Sequence, residues 1–523
     1  MKNDLVSFVS IIGLVLLATL VTVGATTGVL FMFPNISIFG AKAVMERDTQ
    51  IVYRDDELTQ AFAQGRFIIE STGTQIEVKM SNDGYQGEGT IVVNESATGI
   101  AFNSLNRTLV QWTQTIYNNL PYYRIKILEP SGVVFKDEPT IVYINLPHRS
   151  KSSSFKHDFV LQNQYSDVNF SYVDNSVSAS DALKIGSLIV ESAASVNILT
   201  SQNSSIETID IKGSKIKLNC QAEEIGNVTV EGAEGTQTFH GEIDGVLKIK
   251  GKKNNFNGNT AGAVEVISPN GNLKLNTAES LKVNSNANVS VETVENGIEM
   301  LTESGKLDVN EVLAGGIKFT AGFEDKRNAT ASLKVDNVIG AVNVINYGTG
   351  SINLANVIGD VYIKSSEEQG GDINVHFRKS DKKSNVTIRG YDGDINVSGI
   401  NGLVDIEIRN WENGAGAANV TAQFDQVVGT GNVIKVGGYM SGHHDWGNVN
   451  LKLNSEYCNS FNMYVYGASS ANSSSKYGYD ENNMIIETDL TKEAKANKIR
   501  VPEYLGFISG ALTVYCKQSV YLE

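Results

Sequence analysis

VIGAVNV at Val338–Val344 and VIGDVYI at Val357–Ile363 are near-copies offset by nineteen residues, with SINL at Ser351–Leu354 between them. Each copy alternates apolar and polar residues over a strand's length and turns at a glycine. The same grammar extends from about Leu183 to Leu453, in segments such as TIDIKGSKIKL, GNVTV, GVLKIKG, GAVEVIS, GNLKLN and ESLKVN. A period near twenty predicts a β-solenoid, in which no rung buries its apolar side alone and the stack is one cooperative structure.

Successive strand side chains point to opposite faces. Leu333/Val335, Val342/Val344, Ile352/Leu354, Val361/Ile363, Ile373/Val375, Ile395/Val397 and Val404/Ile406 are therefore expected inside. Lys334, Asn343, Asn353, Tyr362, Asn374, Asn396 and Asp405 are expected outside, where the asparagines can stack into ladders. Gly340, Gly359, Gly393 and Gly402 are expected at corners, where glycine tolerates a positive φ.

Working outward, the flanks differ. Pro34, Pro121, Pro130, Pro139 and Pro147 all precede residue 150, and Pro269 alone falls in the repeats, as suits stacked strands that need every ladder donor. Residues 45–150 read as a β-rich lead-in, with RFIIES, TQIEVKM, GTIVVN, YYRIKILEP and PTIVYINLP as strands. Within it RTLVQWTQTIYNNL at Arg107–Leu120 reads as a helix or an irregular strand. Residues 148–180, polar and serine-rich, read as a loop or a first irregular rung. After Leu453 the period fails, and open solenoid ends need caps. The expected class is all-β: a single-stranded β-helix or solenoid at 151–455, preceded by a transmembrane segment and flank at 1–44 and the lead-in at 45–150, and closed by a C-terminal cap at 456–523.

From Leu5 to Phe33 there is no charged residue. A spanning helix needs about twenty apolar residues, and this run is longer. A cleaved signal peptide has an apolar region of about 7–15 residues behind a basic start. The start here is MKND, so an uncleaved signal-anchor is expected, with Ala41–Ala43 as the cleavage alternative. Lys2 on one side and Lys42, Arg47 and Arg54 on the other lean towards a cytosolic C-terminus, but long domains translocate largely regardless of charge. A solenoid rich in Asn, Ser, Thr and Gly behind such an anchor is expected outside the cytoplasm, giving a single-pass cell-membrane protein.

The formal charge of −15 and pI near 5.0 exclude a nucleic-acid partner, which requires a basic face. Cys220, Cys458 and Cys516 form neither a disulfide framework nor a zinc spacing; Cys458 and Cys516 can pair in an oxidising compartment, and Cys220 reads as rung filler. The most site-like cluster is SGHHDWGN at Ser441–Asn448. His443, His444 and Asp445 are metal-ligand types and Trp446 could stack on a sugar, against the plainer reading of an exposed loop. Asp360, Asp372, Asp394 and Asp405, with Arg378, Arg389 and Arg409, invite comparison with β-helical polysaccharide lyases and hydrolases, which need convergent acids on adjacent rungs. Three of these aspartates follow glycine, as turn residues do. No nucleophile elbow, zinc-protease, phosphate-loop or calcium-loop motif occurs, and no cofactor is expected.

The apolar anchor, the lead-in ending in TIVYINLP and rungs of the form I-x-G-x-V-x-V together resemble the bacterial adhesin-like family of membrane-anchored β-solenoid proteins, over about residues 120–453. The resemblance implies a cell-surface location in the bacterial envelope and an adhesive or scaffold role, and brings no catalytic residues. The expected function is that of a membrane-anchored, surface-exposed adhesin-like or structural solenoid with a glycan or surface-protein ligand and no catalytic role. The alternatives are a β-helical polysaccharide-active enzyme and a membrane-tethered cytosolic scaffold.

Overall fold

A computed structural model describes residues 16, 18–23, 25, 26 and 30 near the start. From there it describes 42–44, 49–53, 56–71, 76–84, 89–95, 98–101, 108–128, 132–135, 140–147, 154–163, 168–173, 183–192, 195–200 and 204–268. Beyond these it covers 270–324, 329–365, 370–409, 418–436, 447–453, 462–468, 479–480, 485–488, 511–516 and 519–522. The protein is all-β, with long parallel ladders, and divides into two compact units, Met1–Glu242 and Ile243–Glu523.

In the second unit each turn of chain contributes two strands, one to each of two parallel ladders. One ladder stacks Ile298–Thr302, Ile317–Ala321, Val342–Asn346, Val361–Ser365, Val386–Tyr391, Val404–Arg409 and Asn432–Val436. The other stacks Asn288–Val294, Lys306–Val312, Ser332–Ile339, Ile352–Ile358, Ile373–Phe377, Ile395–Ile400, Val420–Phe424 and Val449–Leu453. This is a solenoid cross-section. All fourteen residues expected inside are buried, each at most 2% exposed. β-branched and Leu side chains fill the narrow interior, and Phe319, Phe377 and Phe424 plug it where more volume is needed.

VIGAVNV spans a corner rather than one strand: Ile339 ends a strand of one ladder and Val342 begins a strand of the other. Gly340 and Gly359 hold that corner at φ +129° and +148°. Gly393 and Gly402 are needed for a different reason than expected. A Cβ there would sit 2.3 Å from the Gly371 carbonyl oxygen and 2.2 Å from that of Ser384, so close approach of the neighbouring rung, not a positive φ, demands glycine.

The last strands of the second unit break the sequential order. Val449–Leu453 is followed along the chain by Asn462–Ala468 and Ile485–Thr488. Yet Ala511–Tyr515 pairs with Asn432–Val436 on one edge and Asn462–Ala468 on the other. Ser519–Leu522 likewise lies between Val449–Leu453 and Ile485–Thr488. Residues expected to cap the array thus add strands within it. The charged stretch TKEAKANKIR at residues 491–500, whose sequence reads as a helical turn, lies outside the described residues.

The first unit has the same two-ladder plan. One ladder runs Leu120–Leu128, Arg66–Ser71, His157–Asn163 and Leu183–Ser192; the other runs Thr140–Pro147, Ile76–Gly84, Val168–Val173 and Ser195–Leu199. Ser204–Cys220 then turns a corner at Gly213 and serves both ladders. The serine-rich stretch expected as a loop or a first irregular rung carries two strands, His157–Asn163 and Val168–Val173, one in each ladder, and so is a rung. His157, 2% exposed, stacks on both Phe67 and Phe159 at centroid distances of 6.5 and 5.9 Å, and those two rings stack on each other at 5.9 Å. The lead-in is part of this ladder system, with antiparallel strands added to it.

One of those additions corrects the reading of Arg107–Leu120. Leu109–Tyr117 is a regular strand paired antiparallel with Leu120–Leu128. Asn118 and Asn119, at φ 48° and 63°, form the two-residue turn, with positive φ at both central positions as a type I′ hairpin requires. One short helix, Asp56–Gln64, went unpredicted. Leu58, Ala61 and Phe62 are its buried stripe, Phe62 packs 5.3 Å from Phe67, and Gly65 at φ +69° ends it with its N–H on the Ala61 carbonyl at 3.0 Å.

The expected membrane segment lies mostly outside the described residues. Its described positions are helical, with Leu16, Leu20, Val21 and Val23 exposed. Among the described residues no helix is long and apolar enough to cross a membrane.

Candidate functional site

Four consecutive strands of one ladder in the second unit build a groove of about 300 Å³. They are Ser332–Ile339, Ile352–Ile358, Ile373–Phe377 and Ile395–Ile400. Alternation puts two outward residues on each strand, and parallel in-register pairing aligns them in columns. The first column is Lys334, Asn353, Asn374 and Asn396. The second, irregular because the register shifts between Leu354 and Val357, is Asp336, Ala355, His376 and Ser398, of which His376 and Ser398 are paired. Ala355 is the small residue in its column, which leaves room between Asp336 and His376. Just beyond it the strand bends at Asn356, φ 50°, whose amide Nδ2 donates to the Asp336 carbonyl at 3.1 Å.

The asparagines form the expected ladder. Asn374 Nδ2 donates to Asn353 Oδ1 at 2.8 Å, and Asn396 Nδ2 donates to Asn374 Oδ1 at 2.9 Å. An amide offers two N–H donors and two acceptor lone pairs. The ladder consumes one of each at Asn374 and holds the rest in a fixed orientation facing the groove. A second asparagine ladder links Asn255, Asn272 and Asn288 at 3.1 and 3.2 Å.

The charges of the groove wall are paired. Lys334 Nζ lies 3.2 Å from Asp308 Oδ1 and 3.6 Å from Asp336 Oδ2. The hydrogen bond to Asp308, and then its charge, push the Lys334 pKa up, so it stays protonated. His376 Nδ1 is 2.8 Å from Ser398 Oγ. A hydroxyl beside an imidazole is the start of a nucleophile–base pair, but such a base is normally oriented by a third group. The carboxylate of this column, Asp336, lies two strands away across Ala355, about 10 Å at the usual spacing.

The aspartates singled out from the sequence do something else. Asp372 Oδ1 accepts the Asp394 backbone N–H at 3.1 Å, Asp394 Oδ1 accepts that of Asn419 at 2.8 Å, and Asn419 Oδ1 accepts that of Asn448 at 2.9 Å. Asp360 Oδ1 accepts the Asn385 N–H at 2.8 Å, and Asn385 Oδ1 that of Leu403 at 2.8 Å. Each side chain brackets the backbone of the next rung at a corner. Asp405 is paired with Arg389, which also lies 3.7 Å from Glu407. Asp372 and Asp394 stack at one corner, Asp360 lies at another and Asp405 lies within a strand, and each of these carboxylates is held by a backbone N–H or by Arg389. The backbone N–H of Arg378 donates to the Val357 carbonyl at 3.1 Å.

His443, His444, Asp445 and Trp446 lie outside the described residues, as does Cys458. Among the described residues no group of three or more His, Cys, Asp or Glu is placed to hold a metal ion. Cys220 is a buried thiol, and Cys516, also buried, donates from Sγ to the Gly447 carbonyl at 3.4 Å. The sequence placed Asn353, Asn374 and Asn396 on the correct face but missed Ala355, His376 and Ser398. The signal was present, two residues after each inward-flanked asparagine. Comparison with family models, curated proteins and solved structures finds no match.

Proposed function

We propose that this chain is a membrane-anchored, surface-exposed solenoid of the bacterial envelope that binds a neutral glycan along its amide-lined groove, without a catalytic role. The observation that carries the reading is the Asn353–Asn374–Asn396 ladder, which faces a groove of about 300 Å³. That size is at the lower end of ligand sites. Fixed amides suit hydroxyl groups that both donate and accept, and the paired state of Lys334 argues against a strongly charged ligand. The carboxylates that a sugar-cleaving β-helix would use are engaged as corner brackets, which favours binding over turnover.

The anchor is supported by the charge-free run and by two of its threonines. Thr22 Oγ1 donates to the Ala18 carbonyl at 2.7 Å and Thr26 Oγ1 to the Thr22 carbonyl at 2.8 Å. Such back-bonding satisfies a hydroxyl within its own helix and suits an apolar solvent. The runner-up is a polysaccharide-active enzyme, favoured by the His376–Ser398 contact.

A glycan array with residues 42–523, run beside an assay for newly released reducing or unsaturated sugar ends, tests both. Binding of neutral glycans, at least tenfold weaker in Asn374→Leu and with no sugar-end release, is the expected result. Release that disappears in His376→Ala would overturn the reading in favour of the enzyme.

A further inference from the structure

The strand pair Ala511–Tyr515 and Ser519–Leu522 occupies a slot whose two sides are both made by earlier parts of the chain. Asn432–Val436 and Val449–Leu453 form one side, and Asn462–Ala468 and Ile485–Thr488 the other. Every pairing is parallel. Leu512, Val514, Cys516 and Val520 are fully buried in the slot, and the Tyr515 ring lies under Lys435 Nζ at 5.5 Å. Without this pair, two strands on either side would present unpaired edges, the situation that strand addition from another chain resolves.

The first unit offers an instructive contrast. There Arg66–Ser71 and Ile76–Gly84 also lie between strands of later number, but they come first in the chain, so no slot ever waits for them. In the second unit the filler comes later in the chain than both sides of its slot.

The tether to the filler is far longer than its task requires. Returning from Ile485–Thr488 to the rung of Ala511–Tyr515 means stepping back one strand spacing, about 5 Å, and crossing to the other ladder. Residues 489–510, fully extended, could reach about 70 Å. A filler on such a tether can reach the slot of a neighbouring molecule as easily as its own.

We propose that the 511–522 strand pair is an exchangeable donor segment and that its partner is a second copy of this chain, which accepts it in the same slot and reciprocates. Each copy then fills the other's slot with the same pairing and burial, so the cost is one of association alone and the balance shifts to the exchanged form as concentration rises. The inference stands on strand order and is independent of any ligand in the groove.

The test uses the full chain with a protease site inserted within residues 489–510. After folding and cleavage, the released 511–523 fragment should co-elute with the rest of the protein. A labelled peptide of residues 509–523 should then replace it, and the same peptide carrying Val514→Asp and Val520→Asp should not. In the uncleaved natural chain, two differently tagged copies refolded together at high concentration should co-purify as a mixed dimer, and should not when refolded tenfold or more below that concentration. Departure of the fragment with the remainder unchanged in its circular dichroism would overturn the proposal. So would a fragment that stays but never exchanges, or tagged copies that never mix.

Discussion

Val342 and Asn343 are neighbours in sequence and opposites in environment: the valine is 1% exposed, whereas the asparagine faces solvent. An aspartate at 342 would be a buried charge without a partner, so Val342→Asp is expected to cost on the order of 4 kcal/mol or more. Asn343→Asp is expected to change stability by less than about 0.5 kcal/mol. Urea titration followed by circular dichroism separates the two. The corner aspartates make an intermediate case. Asp394 accepts from both the Asn419 backbone and its side-chain amide, at 2.8 and 3.3 Å, and Asp394→Ala should cost about 1 kcal/mol while leaving ligand binding intact. Cys220 supplies a pH dependence. Burial pushes its thiol above the ordinary 9.0, with hydrogen bonds from Thr200 and Ala222 opposing. The unfolded chain therefore releases this proton first as pH rises, and stability should fall above about pH 9. Natural protein should lose more stability between pH 8 and pH 10 than Cys220→Ala does; equal losses would show that the thiol is not held in the protonated state. At this scale the sequence was most legible, because a strand's alternation is set by backbone geometry alone.

Strands and their neighbours were legible only in part. The steps between paired positions Ile352, Ile373, Ile395, Val420 and Val449 are 21, 22, 25 and 29 residues. Loops of varying length between rungs defeat any fixed period, so Asn374 could be assigned a face but His376 could not be matched to its neighbour Ser398. The Leu109–Tyr117 strand was obscure for another reason: most of it is exposed on both faces, so no apolar alternation announces it. Its hairpin rests on the two positive φ angles at Asn118 and Asn119. A β-branched residue in that conformation costs about 1–2 kcal/mol. Asn119→Val is accordingly expected to lower the unfolding midpoint of the protein, and Asn119→Gly to leave it within error. The slot filled by residues 511–522 could not be inferred from pattern at all, since strand insertion out of order leaves no periodic trace.

For the whole molecule, a charge-free run from Leu5 to Phe33 precedes nearly five hundred residues of β-rich chain. Composition and repeat grammar led to the solenoid, because burial in such a stack depends on a pattern repeated many times. The side of the membrane depends on a handful of flanking charges, too few to decide it from sequence. In the proposed function the binding face is displayed outside the cell by a helix that stays in the membrane. Protease added to intact cells or protoplasts tests this directly. The solenoid should be removed and a short membrane-bound stub should remain; full protection, with digestion only after lysis, would contradict it.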